Sequence, residues 1–272
     1  MIDCCSVPKT SHYETLLLAY PEEHVLVATL NREARSNAMN TQMARELSDL
    51  FGGFYVDAEG VRCIVLTGAG KKAFCAGADL KERNEMTNAS WLEQHAVFEQ
   101  HVRAMQACPI PCIAAVNGAA FGGGMEMALS ADFIYAAKSA RFALTETSLG
   151  IMPGAAGTQN LPRACGVRRA KEIILTAEPF TAGQAFEWGI VNKLCEDENL
   201  MGEALATARK IASNGPLAVR QAKKSIGFAA DADLGAGYAF EIEAYNRLVP
   251  THDRVEGIRA FNEKRKPNFK GE

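Results

Sequence analysis

Up to about Leu149, short apolar runs alternate with segments of helical period, and beyond Gln159 the alternation gives way to helices. That order restricts the chain to an α/β core followed by a helical C-terminal part. Residues 13–20 and 24–31 read as two strands joined through Pro21, Glu22 and Glu23. A helix follows from Thr41, where Met43, Leu47, Leu50, Phe51 and Phe54 recur at helical spacing, although Gly52 and Gly53 weaken its end. Residues 61–67 form an apolar run closed by Gly68-Ala69-Gly70, expected as a buried strand and a turn. The pattern then repeats as a helix over 91–106, a strand over 112–116, a helix over 125–130 and a strand over 133–136. Long periodic stretches at 201–212, 217–228 and 238–248 make up the helical part. No linker-like segment divides the chain, so one folded unit is expected: residues 1–200 as the core with the active site, and residues 201–272 as a helical region packed on the core or on a neighbouring subunit.

With 272 residues, 48% of them hydrophobic, the chain can bury a sizeable core. Its formal net charge of -3 gives no global reason to expect nucleic acid or an anionic membrane as partner, so an anionic ligand must be met locally. No apolar run approaches the roughly 20 residues needed to span a bilayer. The first thirty residues include Glu14, Glu22 and Glu23 and show neither a secretory nor a transit pattern, and the expectation is a cytoplasmic protein. Eight cysteines, at 4, 5, 63, 75, 108, 112, 165 and 195, include no C-x-x-C pair, and the five histidines form no cluster with them. Reduced thiols and no metal site are expected.

Three glycines, Gly122 to Gly124, follow a buried strand and open an apolar helix that carries Glu126. Such a segment leaves backbone N–H groups uncovered where a helix dipole favours negative charge. Spacing alone admits an oxyanion or phosphate site and equally a tightly packed helix start. Glu146 lies twenty residues on, after a short apolar stretch and before the loop Pro153-Gly154-Ala155-Ala156-Gly157. Two carboxyl groups on adjacent short elements can converge, one accepting a proton while the other donates one. The small-residue segment Ala76-Gly77-Ala78-Asp79 offers either further backbone amides or a tight turn with Asp79 capping a helix from Leu80.

The segments AFCAGADLKE, IAAVNGAAFGGGMEMALSADFIYAA, ALTETSLGIMPGAAGTQNLPR and DRVEGIRAFNEKRKPNFKGE together resemble the crotonase (enoyl-CoA hydratase/isomerase) family, in order from about Asn31 to the C-terminus. The resemblance implies a crotonase-like spiral of ββα units with a helical C-terminal part, assembling as a homotrimer or dimer of trimers through residues 201–272. It implies that the thioester carbonyl is held by the N–H groups of Ala78 and Gly123, that Glu126 activates water and that Glu146 supplies a proton. It also implies that coenzyme A, part of the thioester substrate and not a separate cofactor, runs beside Arg35, Lys72, Ala76 and Lys81, with Phe261 and Lys264 reaching it from a neighbouring subunit. Because both glutamates are present, the implied activity is an enoyl-CoA hydratase on short or branched acyl chains, with a 3-methylglutaconyl-CoA hydratase or an enoyl-CoA isomerase as alternatives.

The chain departs from the family pattern at three places: Ala156 stands where glycine is usual, Asn160 where arginine is usual, and Phe121 where leucine is frequent. Two rival classes are weaker. Residues 68–73 fit the nucleotide fingerprint G-x-G-x-x-A, yet Phe74 to Gly77 promise another loop where that fingerprint needs a long helix. An RNA-binding role lacks the basic stripe with interleaved aromatics that it needs.

Overall fold

The computed structural model describes residues 13–272. Cys4, Cys5 and His12 lie outside them. Strands β1 (Leu16–Glu22) and β2 (Val25–Leu30) form the expected hairpin, turning at His24, which takes a positive φ of 65°. Helix α1 (Thr41–Val56) starts at Asn40, whose side chain accepts the Met43 N–H, and it runs through Gly52 and Gly53 without a break. Its buried face is Met43, Leu47, Leu50, Phe51 and Phe54, the spacing seen in the sequence.

Then the chain begins to spiral. β3 (Cys63–Gly68) is followed by the short β4 (Ala73–Cys75), then by helices α2 (Leu80–Arg83) and α3 (Asn88–Ala107). A second turn contains β5 (Cys112–Val116), β6 (Ala119–Phe121) and α4 (Gly123–Ser130). A third contains β7 (Phe133–Ala137), β8 (Arg141–Ala143), α5 (Gly157–Cys165) and α6 (Val167–Thr176). In each turn the longer strand joins a six-stranded sheet and the three-residue strand joins a four-stranded one. β9 (Phe180–Thr181), α7 (Ala182–Glu187) and β10 (Lys193–Cys195) close the two sheets, and α8 (Leu200–Ala212), α9 (Pro216–Ala229), α10 (Leu234–Asn246) and α11 (His252–Asn262) complete the chain. The order in the large sheet is β1-β2-β3-β5-β7-β10, parallel from β2 onward; the small sheet runs β4-β6-β8-β9 with only the last pair antiparallel. Parallel strands buried on both faces need continuous apolar runs, which is why β3 and β5 are buried at every position.

Three readings are corrected. Residues 73–75, read as part of a loop, and residues 119–121, given no element of their own, are short strands, because each pairs with the next turn of the spiral: Ala73 with Ala119, and Ala119 with Arg141. Residues beyond Gln159 are not all helical, since β9 and β10 pair with β8 and β7. The chain bends after Gly68 as expected and leads into β4. Helix α3 starts three residues before Trp91, where the Thr87 hydroxyl accepts the Ser90 N–H.

The glycines at the strand-to-helix crossing are close-approach positions. A Cβ on Gly124 would stand 2.0 Å from the Cys75 carbonyl oxygen, so α4 meets β4 backbone to backbone. Gly122 adopts φ 51° and ψ −125°, a conformation essentially reserved for glycine. Among the described residues, no helix is long and apolar enough to cross a membrane.

Candidate active site

A cavity of about 500 Å3 opens where the short strands hand over to the helices. Ala76, Ala78, Gly123, Glu126 and Glu146 all line it. The segment after β4 is fixed by a parallel bridge between Met39 and Ala78: the Met39 N–H donates to the Gly77 carbonyl at 2.7 Å, and the Asp79 N–H to the Met39 carbonyl at 2.8 Å. That pattern leaves the Ala78 N–H without an acceptor among the described residues. Asp79 then caps α2, accepting the Lys81 N–H at 3.1 Å, and pairs with Arg32 at 2.9 Å. The turn reading and the free-amide reading of this segment therefore coexist.

Gly123 opens α4 facing Ala78. A Cβ built on Gly123 would lie 3.9 Å from the Ala78 nitrogen, with Met39 Cε at 3.4 Å on the other side. As the first residue of the helix it has no intrahelical acceptor for its N–H. Two uncommitted N–H groups thus border one small space, where a developing oxyanion would meet donors that need no reorganisation.

Glu126 is 3% exposed. Its Oε1 accepts two backbone N–H groups, from Ala155 and Gly157, each at 2.8 Å. Burial and the neighbouring Glu146 charge push its carboxyl up to about 7, against the pull of those two amides and of Arg83. Glu146 begins a 3-10 turn, and its Oε2 is buried without a hydrogen-bond partner. Burial raises its carboxyl also. Burial raises both carboxyl groups on this cavity, and the Glu146 charge adds to the rise at Glu126, so the pair resists double ionisation.

Arg35, Lys72, Lys81, Phe261 and Lys264 do not line this cavity. Each is exposed: Arg35 after β2, Lys72 in the turn before β4, Lys81 on α2, and Phe261 and Lys264 at the end of α11. Asn160 is also elsewhere, accepting from Gln106 of α3 at 3.3 Å. The replacement of the family's usual arginine at position 160 therefore does not touch the cavity lining. Trp91, His95 and Phe98 do line it, on one face of α3, together with Arg83 of α2. Their i, i+4, i+7 spacing was present in the sequence as a helical face, but nothing there indicated that the face turns toward the glutamates. The Ala155 and Gly157 amides, which hold Glu126, carry no side-chain signal at all.

Among the described residues no group of three or more histidine, cysteine or acidic side chains could hold a metal ion. Cys63, Cys75, Cys108, Cys112 and Cys195 are buried and Cys165 is half-buried, all as free thiols.

The family model for enoyl-CoA hydratase/isomerase matches residues 21–272. A short-chain-enoyl-CoA hydratase of Clostridium acetobutylicum is 40% identical over 245 residues, 90% of this chain and 94% of that protein. The human mitochondrial methylglutaconyl-CoA hydratase is 38% identical over 91% of this chain and 74% of its own. The crystal structure of an enoyl-CoA hydratase from Bacillus anthracis superposes with a TM-score of 0.93 at 44% identity, covering 95% of this chain and 100% of that one.

Proposed function

The chain belongs to the enoyl-CoA hydratase/isomerase family, and on that premise we propose that it is a hydro-lyase that adds water across the 2,3-double bond of a short-chain enoyl-CoA thioester. The observation that carries this reading is the meeting of two uncommitted amides, Ala78 and Gly123, with the buried Glu126 and the half-buried Glu146 on one cavity. In this reading the thioester carbonyl accepts both N–H groups. As water attacks the β-carbon, charge moves onto that oxygen as an enolate, where each donor contributes on the order of 3 kcal/mol.

The environments of the two glutamates divide the proton work. Glu126 accepts two N–H groups on one oxygen, which holds the side chain in place, partly offsets the burial and the Glu146 charge that raise its carboxyl, and leaves the second oxygen without a donor among the described residues. It takes the proton of the attacking water. Glu146 has a buried oxygen with no donor, which favours the neutral acid. It gives its proton to the α-carbon. A pair that retains one proton near neutral pH supplies both forms at once, which suits hydration better than a shuttle by a single carboxylate.

Coenzyme A would leave the cavity past Ala76 and place its phosphates among Arg35, Lys72 and Lys81. Phe261 is 83% exposed, and Tyr238, Ile242, Tyr245 and Ile258 are exposed on the same helical region. An apolar surface of that kind supports the assignment of residues 201–272 to contacts between copies, which would bring Phe261 and Lys264 to a neighbouring subunit's coenzyme A.

Loss of the enoyl absorbance of crotonyl-CoA on addition of the protein is the direct test, with 3-methylglutaconyl-CoA run alongside at matched concentration. Hydration of either supports the reaction, and their ratio defines the acyl preference. If coenzyme A thioesters bind and neither is hydrated, the hydratase assignment is wrong.

A further inference from the structure

We propose that Arg83 receives a carboxylate carried at the far end of the acyl chain, so that the preferred substrates are enoyl-CoA thioesters with a distal carboxylate. The inference rests on the hydratase reading and names its substrate class. Arg83 is the last residue of α2 and lines the same cavity as the two glutamates. Its guanidinium carbon lies 4.3 Å from the Trp91 ring centroid and 5.0 Å from that of Phe98, so both aromatic faces of α3 restrict its position. Its Nε donates to Gln94 Oε1 at 2.8 Å. Gln94 is 3% exposed and is itself held, its amide donating to Thr41 Oγ1 and Glu82 Oε2, each at 2.8 Å.

Those contacts occupy one edge of the guanidinium and leave the other. Nη1 and Nη2 have no hydrogen-bond acceptor and no carboxylate within ion-pair distance among the described residues, and neither atom is sealed from accessible space. Glu82 is committed to the Thr41 N–H and to Gln94, and Glu126 binds Ala155 and Gly157 through one oxygen; both carboxylates act on Arg83 electrostatically, and neither forms an ion pair with it. An arginine immobilised on one side, at the wall of a largely apolar cavity and with the N–H groups of its fork unpaired, is preorganised for a carboxylate in the bidentate mode. The bound thioester sets the direction: with its carbonyl at Ala78 and Gly123 and its β-carbon between the glutamates, whatever extends beyond the β-carbon points away from the coenzyme. A methyl group there leaves the fork unpaired, whereas a carboxylate satisfies it.

The test compares saturated thioesters of equal length, glutaryl-CoA and valeryl-CoA, by calorimetric titration of the full-length protein and of Arg83→Met, Arg83→Lys and Arg83→Gln. The parental protein is expected to bind glutaryl-CoA at least about tenfold more tightly, as one charge-assisted pair would give. The preference disappears in Arg83→Met and partly survives in Arg83→Lys, which keeps the charge but not the fork. Arg83→Gln, close in length and uncharged, carries the same comparison should the methionine variant not fold. No preference in the parental protein, or a preference that persists in both uncharged variants, overturns the proposal. Hydration of crotonyl-CoA and glutaconyl-CoA is measured in parallel. Binding preference without hydration of either leaves the carboxylate site standing and removes the hydratase; hydration of crotonyl-CoA without a binding preference does the reverse.

Discussion

Glu126 and Gly157 are fitted to each other: the Gly157 N–H reaches Glu126 Oε1 at 2.8 Å, and a Cβ on residue 157 would stand 2.7 Å from that same oxygen. Glycine is therefore required by the Glu126 side chain and by Pro153, whose Cβ would lie 2.9 Å away, and not by the helix it begins. In Gly157→Ala the new methyl displaces Glu126 and removes one of its two N–H donors. The expected outcome is a fall in kcat on crotonyl-CoA of about 100-fold, since misplacing a reacting group by about 1 Å is enough for such a loss. Thioester affinity should change far less. A variant with parental kcat would show that Glu126 need not be held there.

Conservative amide replacements separate the two carboxyl groups. Glu126→Gln retains an oxygen for the Ala155 and Gly157 amides but cannot take a proton, and Glu146→Gln cannot give one. Each should lower kcat by about 100- to 10,000-fold, the range for loss of a general acid or base. The double variant should lose much less than the product of the two single losses, because a proton acceptor without its donor is already idle. Full multiplicative losses would mean that the two groups act in separate steps.

Much of this site could be read along the chain, and what could not has physical reasons. Glu126 and Glu146 were legible as carboxylates in apolar, glycine-flanked segments, but spacing only permitted them to converge, and it was the family resemblance that paired them. The long strands were visible as apolar runs, as in β3 and β5. The short strands β4, β6 and β8 were not, because three residues are too few to show a period; only pairing between spiral turns makes them strands. The donors to Glu126 are main-chain groups, identical in every residue type except proline. Arg83 was legible as a charge, but its place in the cavity depends on Gln94, Trp91 and Phe98, which come from a different helix.

The raised Glu126 carboxyl has a consequence for stability against pH. Its value in the folded protein is about 7, above the ordinary 4.5. Between those limits the unfolded chain loses a proton that the folded protein keeps, so this group lowers stability progressively as pH rises from 4.5 to 7, and the loss is complete above that window. Glu126→Gln removes the titration. Its stability relative to the parental protein should therefore improve between pH 4 and pH 8, by up to about 3 kcal/mol from the size of the shift. Denaturant unfolding at both pH values checks this, and a difference that stays constant would place the shared proton elsewhere.

Ala156 is the residue between the two amides that hold Glu126, and it sits at φ 70°, ψ 8°, in the left-handed region. The family's usual glycine at this position would meet no Cβ penalty there, while alanine carries roughly 1–2 kcal/mol of it. Against that, glycine loses about 0.4–1 kcal/mol through the greater freedom of the unfolded chain. The strain is the larger of the two, so Ala156→Gly should stabilise the protein by about 0.5–1 kcal/mol, read as a small rise in Tm. Ala156→Val, with a branched side chain in the same conformation, should lower Tm by more than the glycine variant raises it, and should also lower kcat by disturbing the Ala155 and Gly157 amides. If both variants shift Tm in the same direction, the left-handed turn at 156 is not what limits this loop, and the alanine is held by contacts with its neighbours instead of by its backbone angle.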